Sequence, residues 1–140
     1  MTDYLVDNSV WARLAVGDPG ITARLRRIER APADLFVTCA PQVLEFCHSA
    51  RTPEEHAHYR ERIALGFPLE RAPDESLVLD IQSALWRSGL VRAVGSVDIL
   101  IAGYAMVNGA TVLSADHDFG YIARVVDLRH EYVAPSPSAR

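Results

Sequence analysis

Short apolar runs alternate along this chain with longer stretches of helical periodicity. Tyr4-Leu5-Val6 stops at Asp7, Leu35-Phe36-Val37-Thr38 follows a polar turn, and Thr111-Val112-Leu113-Ser114 leads into Asp116 and Asp118. Apolar runs of this length, bounded by polar residues, predict buried strands. Two weaker runs, within Phe67–Pro73 and at Leu128–Val133, predict a third and a last strand. Between them, apolar residues recur at helical spacing. Helices are expected over Ser9–Val16, Ile21–Arg30, Pro41 to about Arg51, Thr52 onward, Asp74 or Ser76 to Ser88, Ser96–Asn108, and Asp118 to about Val125. Thr52-Pro53-Glu54-Glu55 carries a cap, a first-turn proline and an acid three residues after the cap. Gly109 marks the end of the helix that begins at Ser96. The tail from Ala134 to Arg140 is polar and proline-rich and reads as disordered.

Strands alternating with helices imply an α/β protein whose parallel sheet is covered on both faces. Ligands of such sheets bind beyond the carboxyl ends of the strands. That rule picks out Asp7, directly after the first strand, and Asp116 and Asp118, directly after the Thr111–Ser114 strand.

The 140 residues make one domain of ordinary size, 49% apolar. The longest charge-free stretch, Ile99 to Ala115, is broken by Gly103, Asn108, Gly109, Thr111 and Ser114, and falls short of a membrane span. The start Met1-Thr2-Asp3-Tyr4 lacks the basic and apolar segments of a signal peptide. A cytoplasmic protein is therefore expected. Cys39 and Cys47 fit neither a disulfide framework nor a zinc site, and read as free thiols in or near the core. All 14 basic residues are arginine. With no lysine, Schiff-base and P-loop lysine chemistry is excluded. The net charge of −4 argues against bulk-charge binding of a polyanion. Were Asp7, Glu45, Asp98, Asp116 and Asp118 gathered in one neutralised site, the remainder would be close to neutral, which leaves a nucleic-acid substrate open.

Asp98 is the only charged residue between Ala93 and Ala115, in a helix that is apolar nearly all round. A helix of that kind is buried, and an unpaired carboxylate within it costs several kcal/mol. The plainer alternative is an Asp favoured by the helix dipole two residues after a Ser96 cap. Asp7 serves equally as the cap of the following helix, and either Asp116 or Asp118 could cap the one after. Glu45 lies opposite the apolar face Val43, Phe46, Cys47 and Ala50, with Gln42 and Ser49, and on periodicity alone reads as solvated. Carboxylates converging at strand ends repel unless a hard cation with oxygen ligands neutralises them, and Mg²⁺ or Mn²⁺ suits such a cluster. An ion so held can activate water against a phosphodiester.

Four segments carry a resemblance: Tyr4 to Val10, Val43-Leu44-Glu45-Phe46, Ser96 to Ala102, and Val112 to Phe119 with its Asp116-His117-Asp118. In order and spacing they resemble PIN-domain ribonucleases, specifically the VapC-type toxins of bacterial toxin–antitoxin pairs. The resemblance implies a three-layer α/β fold, a five-stranded parallel sheet between helices, with the nuclease domain over residues 1–133. It implies that Asp7, Glu45, Asp98 and Asp116 are catalytic and hold one or two Mg²⁺ or Mn²⁺ ions, assisted by Asp118, with the Ser9 hydroxyl near the metal. It further implies RNA as substrate, products with 5′-phosphate and 3′-hydroxyl ends, a homodimer, and a cognate antitoxin that occupies the cleft. Arg92, just before the Asp98 helix, is the candidate for holding the RNA backbone.

Other features read plainly. Arg24, Arg26, Arg27 and Arg30 form a solvated face, and Trp86 is helix core. Trp11 is core packing or, if exposed, a partner contact in the region where the resembling toxins receive an antitoxin. His56 and His58 sit two apart on a helix and do not face each other. The same fold with a silent site, binding RNA or protein, is the competing reading. A phosphatase of the haloacid-dehalogenase type would want Asp-x-Asp after the first strand, where this chain has Asp7-Asn8-Ser9.

Overall fold

The structure is a computed structural model and describes residues 1–137. Its elements run β1 (Asp3–Val6), α1 (Asn8–Ala15), α2 (Pro19–Arg30), β2 (Leu35–Thr38), α3 (Ala40–His48), α4 (Pro53–Ile63), β3 (Phe67–Pro68), α5 (Glu75–Arg87), a 3-10 turn at Val91–Ala93, α6 (Ser96–Asn108), β4 (Thr111–Ser114), α7 (Asp118–Ala123) and β5 (His130–Tyr132). The five strands pair in parallel in the order β3-β2-β1-β4-β5. The chain therefore builds outward from β1 through β2 to β3, then returns to β1's other side with β4. The strand order reverses between β1 and β4, which is where ligands of open α/β sheets bind.

Alternation along β1 sorts the two cores. Tyr4 and Val6 face α1 and α2, where they pack with Val10, Ile21, Leu25, Ile28 and Leu113. Leu5 and Val112 face the opposite layer of α5, α6 and α7, with Ile81, Leu85, Ile101 and Phe119. Each large apolar side chain buried this fully contributes roughly 1.5–3 kcal/mol. The expected three-layer sandwich is thus present. Cys39 and Cys47 are buried free thiols, and burial pushes Cys39 up to about 11. Among the described residues no helix is long and apolar enough to cross a membrane.

Several boundaries differ from expectation for local reasons. α2 starts two residues early because buried Asp18 caps it, accepting from the Gly20 and Ile21 amides at 3.0 and 3.2 Å. α3 ends at His48, where the Ser49 hydroxyl donates to the Phe46 carbonyl. α6 is capped by Gly95, which offers no side chain, so Ser96 is its first residue rather than its cap. Gly109 ends that helix in the left-handed region at φ 65°, where other residues are strained. β3 is two residues on the sheet edge, where Pro68's missing donor does no harm.

Two readings of exposure are corrected. Arg24 is not on a solvated face: its guanidinium donates to both Glu131 carboxylate oxygens, at 2.6 and 2.9 Å, and to Tyr4 Oη at 2.9 Å. It ties α2 to β5. Trp86 is not core but 56% exposed. The tail, expected to be disordered from Ala134, is fastened at Ser136, whose amide and hydroxyl donate to Asp18 at 2.9 and 2.8 Å. Its last residues, 138–140, lie outside those described.

Candidate active site

The site begins where β1 ends. The Asp7 amide donates to the Leu113 carbonyl of β4 at 2.9 Å, so Asp7 stands directly over the reversal of strand order. Its Oδ2 accepts from the Ser9 amide at 3.1 Å and caps α1. Capping uses one of the two oxygens, so the cap and a place in the cleft are compatible. Asp7 is buried, 5% exposed.

Three further elements bring acids to Asp7. α6 presents Asp98 from its first turn, α3 presents Glu45, and the β4–α7 connection presents Asp116 and Asp118. One oxygen each from Asp7, Glu45 and Asp98 lie within 4.8 Å of one another. Asp116 and Asp118 fall outside that tight triad but line the same cleft, of about 890 Å³. The Asp118 amide donates to Asp116 Oδ1 at 3.2 Å, which orients the Asp116 carboxylate. Ser9 lines the cleft too, and its hydroxyl accepts from the Ala115 amide at 2.9 Å. Ser9 thereby fixes the strand exit that carries Asp116.

The electrostatics follow from this crowding. Asp98 is pushed up to about 8, chiefly by burial, then by a hydrogen bond with Asp118 and the charges of Asp7 and Glu45. Glu45 and Asp116 are raised by burial and by Asp7. Among the described residues no arginine lines the cleft to relieve the repulsion. The Asp7–Glu45–Asp98 triad offers only carboxylate oxygens, a donor set that matches hard divalent cations rather than zinc or copper. The residues present therefore fit such an ion.

The polar face of α3 is not uniformly solvated: Ser49 is exposed and Glu45 half-buried, whereas Gln42 is buried. Its side chain is 2% exposed. Nε2 donates to the Val6 carbonyl at 2.6 Å, and Oε1 accepts from the Cys39 amide at 3.2 Å. One residue pins the start of α3 to the end of β1, a turn before Glu45. We expect Gln42→Met to leave both buried main-chain groups unpaired, costing roughly 1–3 kcal/mol. It should also loosen divalent-ion affinity by about 10–100-fold, the usual effect of losing an outer-shell support. Thermal melting and Mn²⁺ calorimetry check the two effects; a lowered melting point with unchanged affinity would make Gln42 structural only.

A family model for the PIN domain matches residues 4–125. The chain belongs to the PIN-domain family. All four sequence segments that suggested it fall inside the matched span. Ribonuclease VapC21 of Mycobacterium tuberculosis is 35% identical over 144 residues, covering 99% of each chain. Ribonuclease VapC11 of the same organism is 31% identical over 130 residues, covering 89% of this chain and 95% of that one. VapBC2 from Rickettsia felis, solved bound to a promoter DNA fragment, superposes with a TM-score of 0.72 at 15% identity, over 94% of this chain and 98% of that one. At that identity the likeness establishes the fold alone.

Within this PIN domain, sequence reasoning brought Asp7, Glu45, Asp98, Asp116, Asp118 and Ser9 to one cleft, and the structure gathers all six there. Arg92 is not among the lining residues; it is exposed, with its guanidinium 5.2 Å from the Trp86 ring centroid. Gln42 was missed because only a strand end far away in sequence makes it buried. His48, one turn after Glu45, also lines the cleft and carried no signal of its own.

Proposed function

We propose that this PIN domain is a divalent-cation-dependent endoribonuclease and the toxin of a toxin–antitoxin pair. The observation that carries this is the Asp7–Glu45–Asp98 triad at the β1–β4 reversal, in a chain 31–35% identical to VapC ribonucleases. Asp7, Glu45 and Asp98 would hold one or two Mg²⁺ or Mn²⁺ ions, with Asp116 and Asp118 completing the cup. When bound, the cation supplies charge neutralisation at the phosphodiester and acidifies water. Asp116 keeps one carboxylate oxygen free of the Asp118 amide, and its raised proton affinity suits it to accept a proton from the attacking water. Glu45 and Asp98 face the cleft from α3 and α6, and the exposed rim residues Leu44, Val97 and Leu100 would border a substrate's approach to it.

The same reading places the protein in the cytoplasm, as a homodimer, with an antitoxin as partner. A hollow lined by Trp11, Phe46, Tyr59 and Arg62 adjoins the cleft through Asn8 and Ser49, which line both, and offers an apolar seat for that partner. Trp11 is half-buried there against Phe36 and Phe46, and its indole Nε1 is buried without a hydrogen-bond partner.

Purified protein incubated with total RNA, in Mg²⁺, in Mn²⁺ and in EDTA, tests the activity. Discrete fragments bearing 5′-phosphate ends, absent in EDTA, are expected. Protein that binds Mn²⁺ yet cleaves no RNA would instead be a silent binding module.

A further inference from the structure

A polyanion must reach a cleft whose lining, among the described residues, carries five carboxylates and no arginine. On the α5–α6 side, the 3-10 turn that precedes α6 carries a positive charge at Arg92, four residues before Ser96. Its guanidinium lies over the indole of Trp86, 5.2 Å from the ring centroid. Trp86 is in the last turn of α5 and is 56% exposed, an unusual position for so large an apolar ring. It is not isolated. Leu79, Gln82 and Trp86 are spaced three and four apart and share one face of α5. Leu79 and Gln82 line a groove with Ser96, Val97 and Leu100 at the start of α6. Val97 and Leu100 also line the acidic cleft. A continuous path therefore leads from the carboxylates, across Val97 and Leu100, along α5 towards the Trp86–Arg92 pair.

We propose that Trp86 and Arg92 form a platform for single-stranded RNA: an unpaired base stacks on the Trp86 indole while Arg92 contacts the adjoining phosphate. This rests on the ribonuclease reading and names where its substrate is held. Base–aromatic stacking is tolerant of sequence and strong enough to anchor a strand. Arg is suited to the role, since its planar guanidinium stacks on an aromatic ring and pairs with phosphate at the same time. A second copy of the chain is the rival occupant of this stripe, but an arginine laid over the exposed ring favours an anionic, flat ligand.

The chain has two tryptophans, so Trp11→Phe leaves Trp86 as the sole indole reporter. In that background, with Asp98→Asn to stop cleavage, titration with single-stranded oligoribonucleotides should quench Trp86 fluorescence. Trp86→Ala should weaken binding about tenfold or more, within the range for one stacked base, while Trp86→Phe retains most of it. Arg92→Gln should lower the salt dependence of binding by about one phosphate contact. In the cleaving protein Trp86→Ala should raise KM and leave kcat nearly unchanged. Unquenched fluorescence together with wild-type RNA affinity in Trp86→Ala overturns the platform. So does a dimer that becomes monomeric in Trp86→Ala by ultracentrifugation with RNA affinity intact, since the stripe then belongs to a second copy. An otherwise wild-type chain that binds and cleaves no RNA at all overturns the ribonuclease reading and the platform with it.

Discussion

Asp98→Asn is expected to abolish RNA cleavage and, in EDTA at pH 8.5, to raise the melting temperature. Loss of a ligand that stabilises transition-state charge by several kcal/mol corresponds to roughly a thousandfold or more in rate. The stability gain has the opposite origin. In the metal-free protein the Asp98 carboxyl is pushed up to about 8 from 3.8, first by burial and then by Asp118, Asp7 and Glu45. Between those two values the folded protein binds more protons than the unfolded chain. Stability therefore falls as pH rises through that window, and the full penalty is present above pH 8. Asparagine removes the charge and with it the penalty. After discounting for solvent and for the sharing of protons within the cluster, the gain is about 1–3 kcal/mol, or roughly 3–10 °C for a domain of this size. At pH 5.5, inside that window, the folded carboxyl is protonated while the unfolded one is ionised, so somewhat under half of the penalty is already present and the gain should shrink to roughly 1–4 °C, approaching zero only below the unfolded value of 3.8. Differential scanning in EDTA at both pH values, beside an RNA cleavage assay, checks both halves. A variant that still cleaves, or that melts lower than wild type at pH 8.5, contradicts the account.

The second large effect is stabilisation by the ion itself. An ion that binds only the folded state at a hundred times its dissociation constant adds about 2.7 kcal/mol. Mn²⁺ should accordingly raise the melting temperature, and EDTA should reverse the rise. Because Asp98 must lose its proton to become a ligand, ion affinity should increase from pH 6 to pH 8. Calorimetry in two buffers of different ionisation enthalpy should register proton release on binding. Glu45→Gln removes one corner of the triad and should abolish most of the Mn²⁺-dependent shift. An Mn²⁺ effect equal in wild type and Glu45→Gln would place the ion elsewhere.

The parts of this structure visible in the sequence are those set by local chemistry. β1, β2 and β4 were legible because a buried parallel strand is a short apolar run with polar ends. Asp7 and Asp116 were legible because they follow such strands directly, and in α/β sheets that is where ligands bind. Asp98 stood out as a lone charge in an apolar helix. Glu45 was different. Periodicity put it on a solvated face, and only the family resemblance moved it to the site. The structure shows the physical reason: buried Gln42 docks that face on the end of β1. Non-local partners also hid Arg24, whose carboxylate lies 107 residues away at Glu131. Trp86 misled for the converse reason: an apolar ring reports a preference for burial but not whether a neighbour is there to bury it. Ser136 looked like part of an unstructured tail because nothing near it in sequence announces the buried Asp18 that it contacts.

Crystals grown with Mn²⁺, with data collected at the manganese absorption edge, test most directly whether the acids at the β1–β4 reversal form a metal centre. An anomalous peak is expected within coordination distance of the Asp7, Glu45 and Asp98 carboxylates, lost in Asp98→Asn. A protein that cleaves RNA in Mn²⁺ yet shows no peak there, or shows one only at another site, would contradict a metal centre at these acids.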